Sequence, residues 1–130
     1  MTYLLDSNAV IALLKNHGAF MARIRQQRPE DVAISSIVAH ELFYGAFKGQ
    51  RTAETLARVE ALRFEVLDLD REDARKAGEI RASLANAGTP VGPYDVLIAG
   101  QAVARGLTLV TTNTREFQRV ASLRIEDWQA

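Results

Sequence analysis

Several carboxylates in this sequence stand where a carboxylate is costly. Glu41 lies inside the run Ile37-Val38-Ala39-His40-Glu41-Leu42-Phe43-Tyr44, and Asp95 inside Val91-Gly92-Pro93-Tyr94-Asp95-Val96-Leu97-Ile98. Asp6 closes the apolar run Tyr3-Leu4-Leu5 and is followed by Ser7 and Asn8, while Thr111-Thr112-Asn113, with Glu116 beyond, closes another such run. An ionised group among apolar side chains loses its hydration and must be neutralised by something. No Lys or Arg neighbours Glu41 or Asp95 in sequence, whereas a hard divalent cation with a preference for oxygen satisfies several carboxylates together. Mg²⁺ or Mn²⁺ is the ion that suits this set.

Taken singly, each acid also has a plain structural role. Asp6 suits the cap of a following helix, Asp95 suits the positive end of a helix that starts near it, Glu41 suits an Arg from elsewhere, and Glu116 suits solvent. Their joint placement favours chemistry, because all of them fall at helix starts or on an apolar helix of one topology.

That topology follows from the punctuation of the chain. Tyr3 to Leu5 reads as a strand, with Ser7 and Asn8 as caps for a helix over Ala9 to Lys15. A basic helical stretch with Arg23, Arg25 and Arg28 leads to Pro29, and Val32-Ala33-Ile34 reads as a second strand. Ser35 or Ser36 caps a helix from about Ile37 to Phe47, which ends in the Gly45–Gly49 region, and Thr52 to Arg63 resumes a helical pattern with Leu56, Val59 and Leu62 on one face. Phe64 to Leu69 alternates like a strand. Asp70 to Ala87 is an amphipathic helix stopped by Gly88 and Pro90. Tyr94 to Arg105 is helical, Gly106 breaks it, Leu107 to Thr111 reads as a buried strand, and a last short strand lies near Leu123 to Ile125. Strands separated by helices, without hairpin turns, require crossovers, so the expected fold class is α/β: a three-layer α/β/α sandwich around a mainly parallel sheet. Ligands of such sheets bind beyond the carboxyl ends of the strands. Asp6 and the Thr111–Glu116 segment occupy such ends, and would meet if their strands were neighbours.

Bulk properties narrow the classes without choosing one. A chain of 130 residues, 48% hydrophobic and 25% charged, is the size and composition of one soluble globular domain, expected over residues 1–130. Cys is absent, which excludes disulfides and thiolate metal sites. Two His and no Cys make a zinc site a poor candidate, and His40 is expected to cap or pack beside Glu41. Met21, Phe20 and Trp128 are expected in core or rim packing. No signal peptide and no membrane-length apolar run is evident, so a cytoplasmic protein without a membrane role is expected. Sixteen basic residues balance sixteen acidic ones, which argues mildly against a nucleic-acid partner. The thirteen Arg against three Lys suit phosphate, although the codon bias of a GC-rich genome is the better explanation of that excess. Glycine-rich phosphate loops and a Gly-x-Ser-x-Gly elbow are both missing.

Four segments together resemble a known family. Tyr3-Leu4-Leu5-Asp6-Ser7-Asn8, Ser35-Ser36-Ile37-Val38-Ala39-His40-Glu41-Leu42-Phe43-Tyr44-Gly45, Pro93-Tyr94-Asp95-Val96-Leu97-Ile98-Ala99 and Val110-Thr111-Thr112-Asn113-Thr114-Arg115-Glu116-Phe117 are similar, in order and spacing over nearly the whole chain, to the PIN-domain family of VapC toxins. The resemblance implies a parallel α/β/α sandwich whose clustered acids bind Mg²⁺ or Mn²⁺ and cut RNA. By position, Asp6, Glu41 and Asp95 correspond to the three core acids. The family's fourth position is usually Asp and here is Asn113, an oxygen donor without charge, with Glu116 similar to the acid some of these toxins carry instead. The site so implied has Asp6 and Asp95 as direct metal ligands, Glu41 and Glu116 completing the shell or positioning water, and Thr111 and Asn113 orienting water or the scissile phosphate. The metal would supply the hydroxide and charge neutralisation. The resemblance also implies a homodimer and a VapB-like antitoxin whose C-terminal segment fills the groove, an antitoxin Arg reaching the acids. The RNA implied is structured, such as a tRNA anticodon stem-loop, and the 90–95 and 111–117 segments look most like the enteric subgroup directed at initiator tRNA.

Three other readings compete. A phospho-accepting receiver domain needs a Lys after the last strand, and no Lys follows Lys76. A haloacid-dehalogenase-like phosphatase needs Asp-x-Asp at the end of the first strand, where Asn8 stands third. A PIN-like module that binds RNA or protein with weakened catalysis is consistent with Asn113, and an Asp6→Asn protein separates it from a nuclease.

Overall fold

The apolar runs at 3–5, 32–35 and 108–110 become buried strands, flanked by two more amphipathic edge strands. The computed structural model describes all 130 residues and orders them as β1 (Tyr3–Leu5), α1 (Ser7–Leu14), α2 (Gly18–Ile24), β2 (Val32–Ser35), α3 (Ser36–Lys48), α4 (Thr52–Glu60), β3 (Glu65–Leu67), α5 (Arg71–Asn86), α6 (Pro93–Arg105), β4 (Thr108–Val110), α7 (Thr114–Phe117) and β5 (Arg124–Glu126), with a short 3₁₀ turn at Pro29–Asp31 before β2. The sheet order is β3-β2-β1-β4-β5 and every pairing is parallel.

Because β1 is central, its residues pair on both sides: Leu5 stands opposite Ile34 of β2 and Val110 of β4. The chain runs outward from β1 to β2 and β3, then returns past β1 to β4 and β5. Right-handed crossovers put the helices of these two journeys on opposite faces, and the packing agrees, with α3 against α4, α1 against α2, and α5 against α6. The boundary between β1 and β4 is therefore a topological switch point, where a crevice opens at the carboxyl ends of the strands. Leu4, Leu5, Val32, Ala33, Leu109 and Val110 fill the core between the layers.

Local chemistry explains most boundaries. Ser35 caps α3 by accepting from the Ile37 amide at 3.0 Å, and the Ser36 hydroxyl accepts from the Leu69 amide at 3.2 Å, tying α3 to the segment after β3. Asp70 and Asp73 form a reciprocal capping box at the start of α5. Gly106 ends α6 in the left-handed conformation, φ 66°, which glycine adopts without strain. One expectation is corrected: neither Ser7 nor Asn8 caps α1, which already includes both, and the cap is Asp6, whose Oδ1 accepts from the Ala9 amide at 2.8 Å.

The two-helix layer of α5 and α6 is tightly joined. Gly100 packs so closely on Ala77 that a Cβ there would meet its Cβ at 2.5 Å. At the other end, the Arg105 guanidinium donates to both oxygens of Asp73, 3.2 and 2.9 Å, and to the Asp68 carbonyl, while the buried Gln101 amide donates to Asp73 and to the Leu67 and Asp68 carbonyls. Phe20 and Trp128 are core residues, as expected. Trp128 packs on Tyr3 and Phe20 and donates from its indole N–H to Glu126. No helix is long and apolar enough to cross a membrane.

Candidate active site

Four elements deliver the acids to one crevice. Asp6 follows β1, Glu41 stands in the second turn of α3, Asp95 in the first turn of α6, and Glu116 in α7 after β4. The Asp6 amide still donates to the Val110 carbonyl at 3.1 Å, so the β1–β4 ladder extends to the first acid and brings Thr111 beside it. Asp6 is 5% exposed and Thr111 1% exposed.

Three of the four acids have a distinct neutral support, and Asp95 has none. Asp6 is held by the α1 amide already described. Glu41 Oε1 accepts from the Ser7 hydroxyl at 2.9 Å. Glu116 is gripped from two sides: Oε1 accepts from the Gly92 amide at 2.8 Å and Oε2 from the Asn113 side-chain amide at 2.7 Å. The Asn113 backbone amide in turn donates to the Thr111 hydroxyl at 2.9 Å. A Cβ on Gly92 would stand 3.7 Å from both Asp95 Oδ2 and Glu116 Oε1, so these two carboxylates flank one small space. Asp6, Glu41, Asp95 and Glu116 take part in no salt bridge.

Electrostatics bind the four into one unit. Burial, then the negative charges of Glu116, Glu41 and Asp6, push the Asp95 carboxyl from 3.8 up to about 6. Burial also raises Asp6, against the opposing pull of hydrogen bonds from Thr111 and Ala9. Glu116 moves the other way, because the Gly92 amide and then Asn113 donate to its charged form. The site thus holds like charges in a partly desolvated crevice, with no salt bridge among them, and Arg119 is the cation whose charge reaches Glu116.

No three acidic or histidine side chains converge tightly enough to ligate an ion as they stand. The donor set nonetheless fits a hard cation, being oxygen-only and anionic.

All six residues singled out from sequence lie together: Asp6, Glu41, Asp95 and Glu116 in the charge cluster, Thr111 and Asn113 in its hydrogen-bonded floor. Glu41 finds no Arg partner, and Glu116 is pinned rather than free in solvent. Two supporting groups were missed. From sequence Ser7 reads only as a helix cap, although a hydroxyl directly after Asp6 is a natural support for a second acid. The Gly92 amide left no side-chain signal. His40 makes no hydrogen bond to Glu41: it is exposed, with its ring edge-on to Tyr94 at a centroid distance of 5.7 Å.

Comparison with known proteins accords with this geometry. The PIN domain family model matches residues 3–123. The chain is 46% identical over 130 residues to the tRNA(fMet)-specific endonuclease VapC of Salmonella typhimurium and 45% identical to that of Shigella flexneri, with 98% of each chain covered in both cases. Its structure superposes on a crystal structure of DNA-bound VapBC from Salmonella typhimurium with a TM-score of 0.93, 46% identity and 98% coverage of each chain. A sheet with acids gathered at its switch point is thus that of a PIN-type nuclease. The chain belongs to the PIN-domain family, and within it to the VapC ribonucleases.

Proposed function

We propose that this chain, as a single PIN domain over residues 1–130, is the toxic component of a type II toxin-antitoxin pair and an Mg²⁺-dependent endoribonuclease, with Mn²⁺ as a substitute ion. The observation that carries the reading is the cluster of four carboxylates that make no salt bridge, whose central member Asp95 is raised to about 6. Asp6 and Asp95 would hold the ion directly, with Glu41 and Glu116 completing the shell or positioning water. A bound divalent cation neutralises charge on the scissile phosphate and acidifies the attacking water. Ser7 fixes the Glu41 carboxylate, the Gly92 amide and Asn113 fix Glu116, and Thr111 holds the turn that carries Asn113. No His or Lys is among the groups that support the four acids, so the carboxylates are the protein's own proton acceptors there.

Similarity to the two enteric endonucleases supports a tRNA substrate, with initiator tRNA the narrower expectation. Similarity to a VapBC structure supports a VapB-type antitoxin partner, and assembly of the toxin as a homodimer belongs to the same proposal. The cytoplasm, where tRNA and such an antitoxin meet, is the proposed location. The test is incubation of antitoxin-free protein with a mixed tRNA pool in Mg²⁺, in EDTA, and as Asp95→Asn. Discrete fragments that need both the ion and Asp95 are expected; uncleaved RNA with folded protein in Mg²⁺ and Mn²⁺ would refute the assignment.

A further inference from the structure

The acids at positions 41 and 95 are each preceded by an aromatic residue, His40 and Tyr94. Successive residues of a helix point about 100° apart. Two helices that turn Glu41 and Asp95 toward the same crevice therefore turn His40 and Tyr94 toward its rim together, and the rings do meet edge-on, centroids 5.7 Å apart at 64°. Tyr94 is 49% exposed and His40 is exposed, so one face of the pair is open to solvent directly beside the charge cluster. The pair contributes nothing to the core, and neither side chain donates to or accepts from the four acids in the hydrogen-bond network of the site.

We propose that Tyr94, braced by His40, is a stacking platform for one unstacked nucleobase of the RNA next to the cleaved phosphodiester. Sequence-specific RNA recognition works mainly on splayed-out bases of loops, which stack on aromatic faces. Stacking answers a difficulty of this site, since a cluster of acids repels the phosphate backbone and the chain has no net positive charge to offset it. A flat aromatic surface binds the base without adding charge, and its position sets which linkage lies over Asp6 and Asp95. Bracing by His40 removes rotamer freedom from Tyr94 before the base arrives. This inference rests on the ribonuclease reading, but its direct readout is binding rather than cleavage.

The experiment uses full-length, antitoxin-free protein carrying Asp6→Asn, and tRNA anticodon stem-loop hairpins with 2-aminopurine placed at each loop position in turn. Stacking quenches the emission of that base. One position is expected to be quenched, with the signal kept in Tyr94→Phe and lost in Tyr94→Leu, and with RNA affinity falling about 5- to 150-fold in the leucine protein. A hairpin abasic at that position is expected to bind equally well to proteins with and without the Tyr94→Leu change. His40→Leu should weaken quenching partially. Circular dichroism and a melting curve confirm that Tyr94→Leu is folded. Quenching and affinity unchanged in Tyr94→Leu, or no quenching at any position, overturn the platform. So does a Tyr94→Leu protein that binds RNA normally but loses its co-expressed antitoxin, which would make the rim a protein-contact surface. Uncleaved hairpins with the unmutated chain in Mg²⁺ would count against the ribonuclease reading alone, and position-specific quenching would still uphold the platform.

Discussion

Removing the charge of Asp95 should make the metal-free protein more stable and catalytically dead. The carboxyl rises from 3.8 to about 6 through burial and then through Glu116, Glu41 and Asp6. At about 1.4 kcal/mol per pKa unit, that shift corresponds to at most roughly 3 kcal/mol of destabilisation by the ionised form. Asp95 is only half-buried, and solvent screening reduces the figure to about 1–2 kcal/mol, or on the order of 5 °C in melting temperature. The sign follows from proton binding: between about pH 4 and 6 the folded protein holds a proton on Asp95 that the unfolded chain has released, so stability falls as pH rises through that window. Asp95→Asn lacks the charge at every pH. Its advantage over the parent should be absent near pH 4, grow up to about pH 6, and stay level above it. Thermal melts of both proteins in EDTA at pH 4, 5, 6 and 7.5 read this directly. Millimolar Mg²⁺ should reverse the order at pH 7.5, since an ion at a hundredfold its dissociation constant stabilises the folded parent by about 2.7 kcal/mol. An asparagine protein no more stable than the parent at pH 7.5 in EDTA, or equally advantaged at pH 4, would refute the repulsive-cluster account.

Asp6→Asn keeps an acceptor for the Ala9 amide, so folding should change by less than about 1 kcal/mol while tRNA cleavage and toxicity on induction disappear; sustained toxicity without antitoxin would contradict a nuclease role for Asp6. Arg105→Ala leaves Asp73, 1% exposed, without its cation, and urea melts should show a loss of about 3–5 kcal/mol. Burial is the largest single influence and works against the charged form of Asp73, but the Arg105 hydrogen bonds and charge, the Asp70 amide and Gln101 together outweigh it and hold the carboxyl below 3.8. The stabilising contribution is therefore present above about pH 4 and fades as pH falls through the lowered value, which a pH series of melts would detect. Gly100→Val forces methyl groups into Ala77 and should cost at least about 1–3 kcal/mol, whereas Gly78→Ala, with nothing within 4 Å of its Cβ position, should not destabilise.

The periodic signals of the sequence carried the fold well, because alternating punctuation and apolar runs leave little choice but crossovers and a parallel sheet. The strands at 3–5, 32–35 and 108–110 have buried patterns and were readable, as were the helices that end at Gly88 and Gly106. Strand order was not readable, since it depends on pairings such as Leu5 with Val110, whose partners lie far apart in the chain. The acids were legible because a carboxylate among apolar neighbours is anomalous by itself. Their supports were less so: a backbone amide at Gly92 has no type-specific signature, and Ser7 had a competing local explanation. The Asp6 cap shows that two readings need not exclude each other, since one oxygen serves α1 while the same carboxylate belongs to the charge cluster.

The central place of β1 has a consequence for how the protein is made. Asp6 leaves the ribosome ahead of the other acids, but the strand beside it ends at Val110 and the last acid is Glu116. A nascent chain therefore carries most of its length before the crevice can exist, and shortened or stalled products hold scattered acids with no common site. A cell translating this message meets a complete acid cluster only after the residues up to Glu116 have been made.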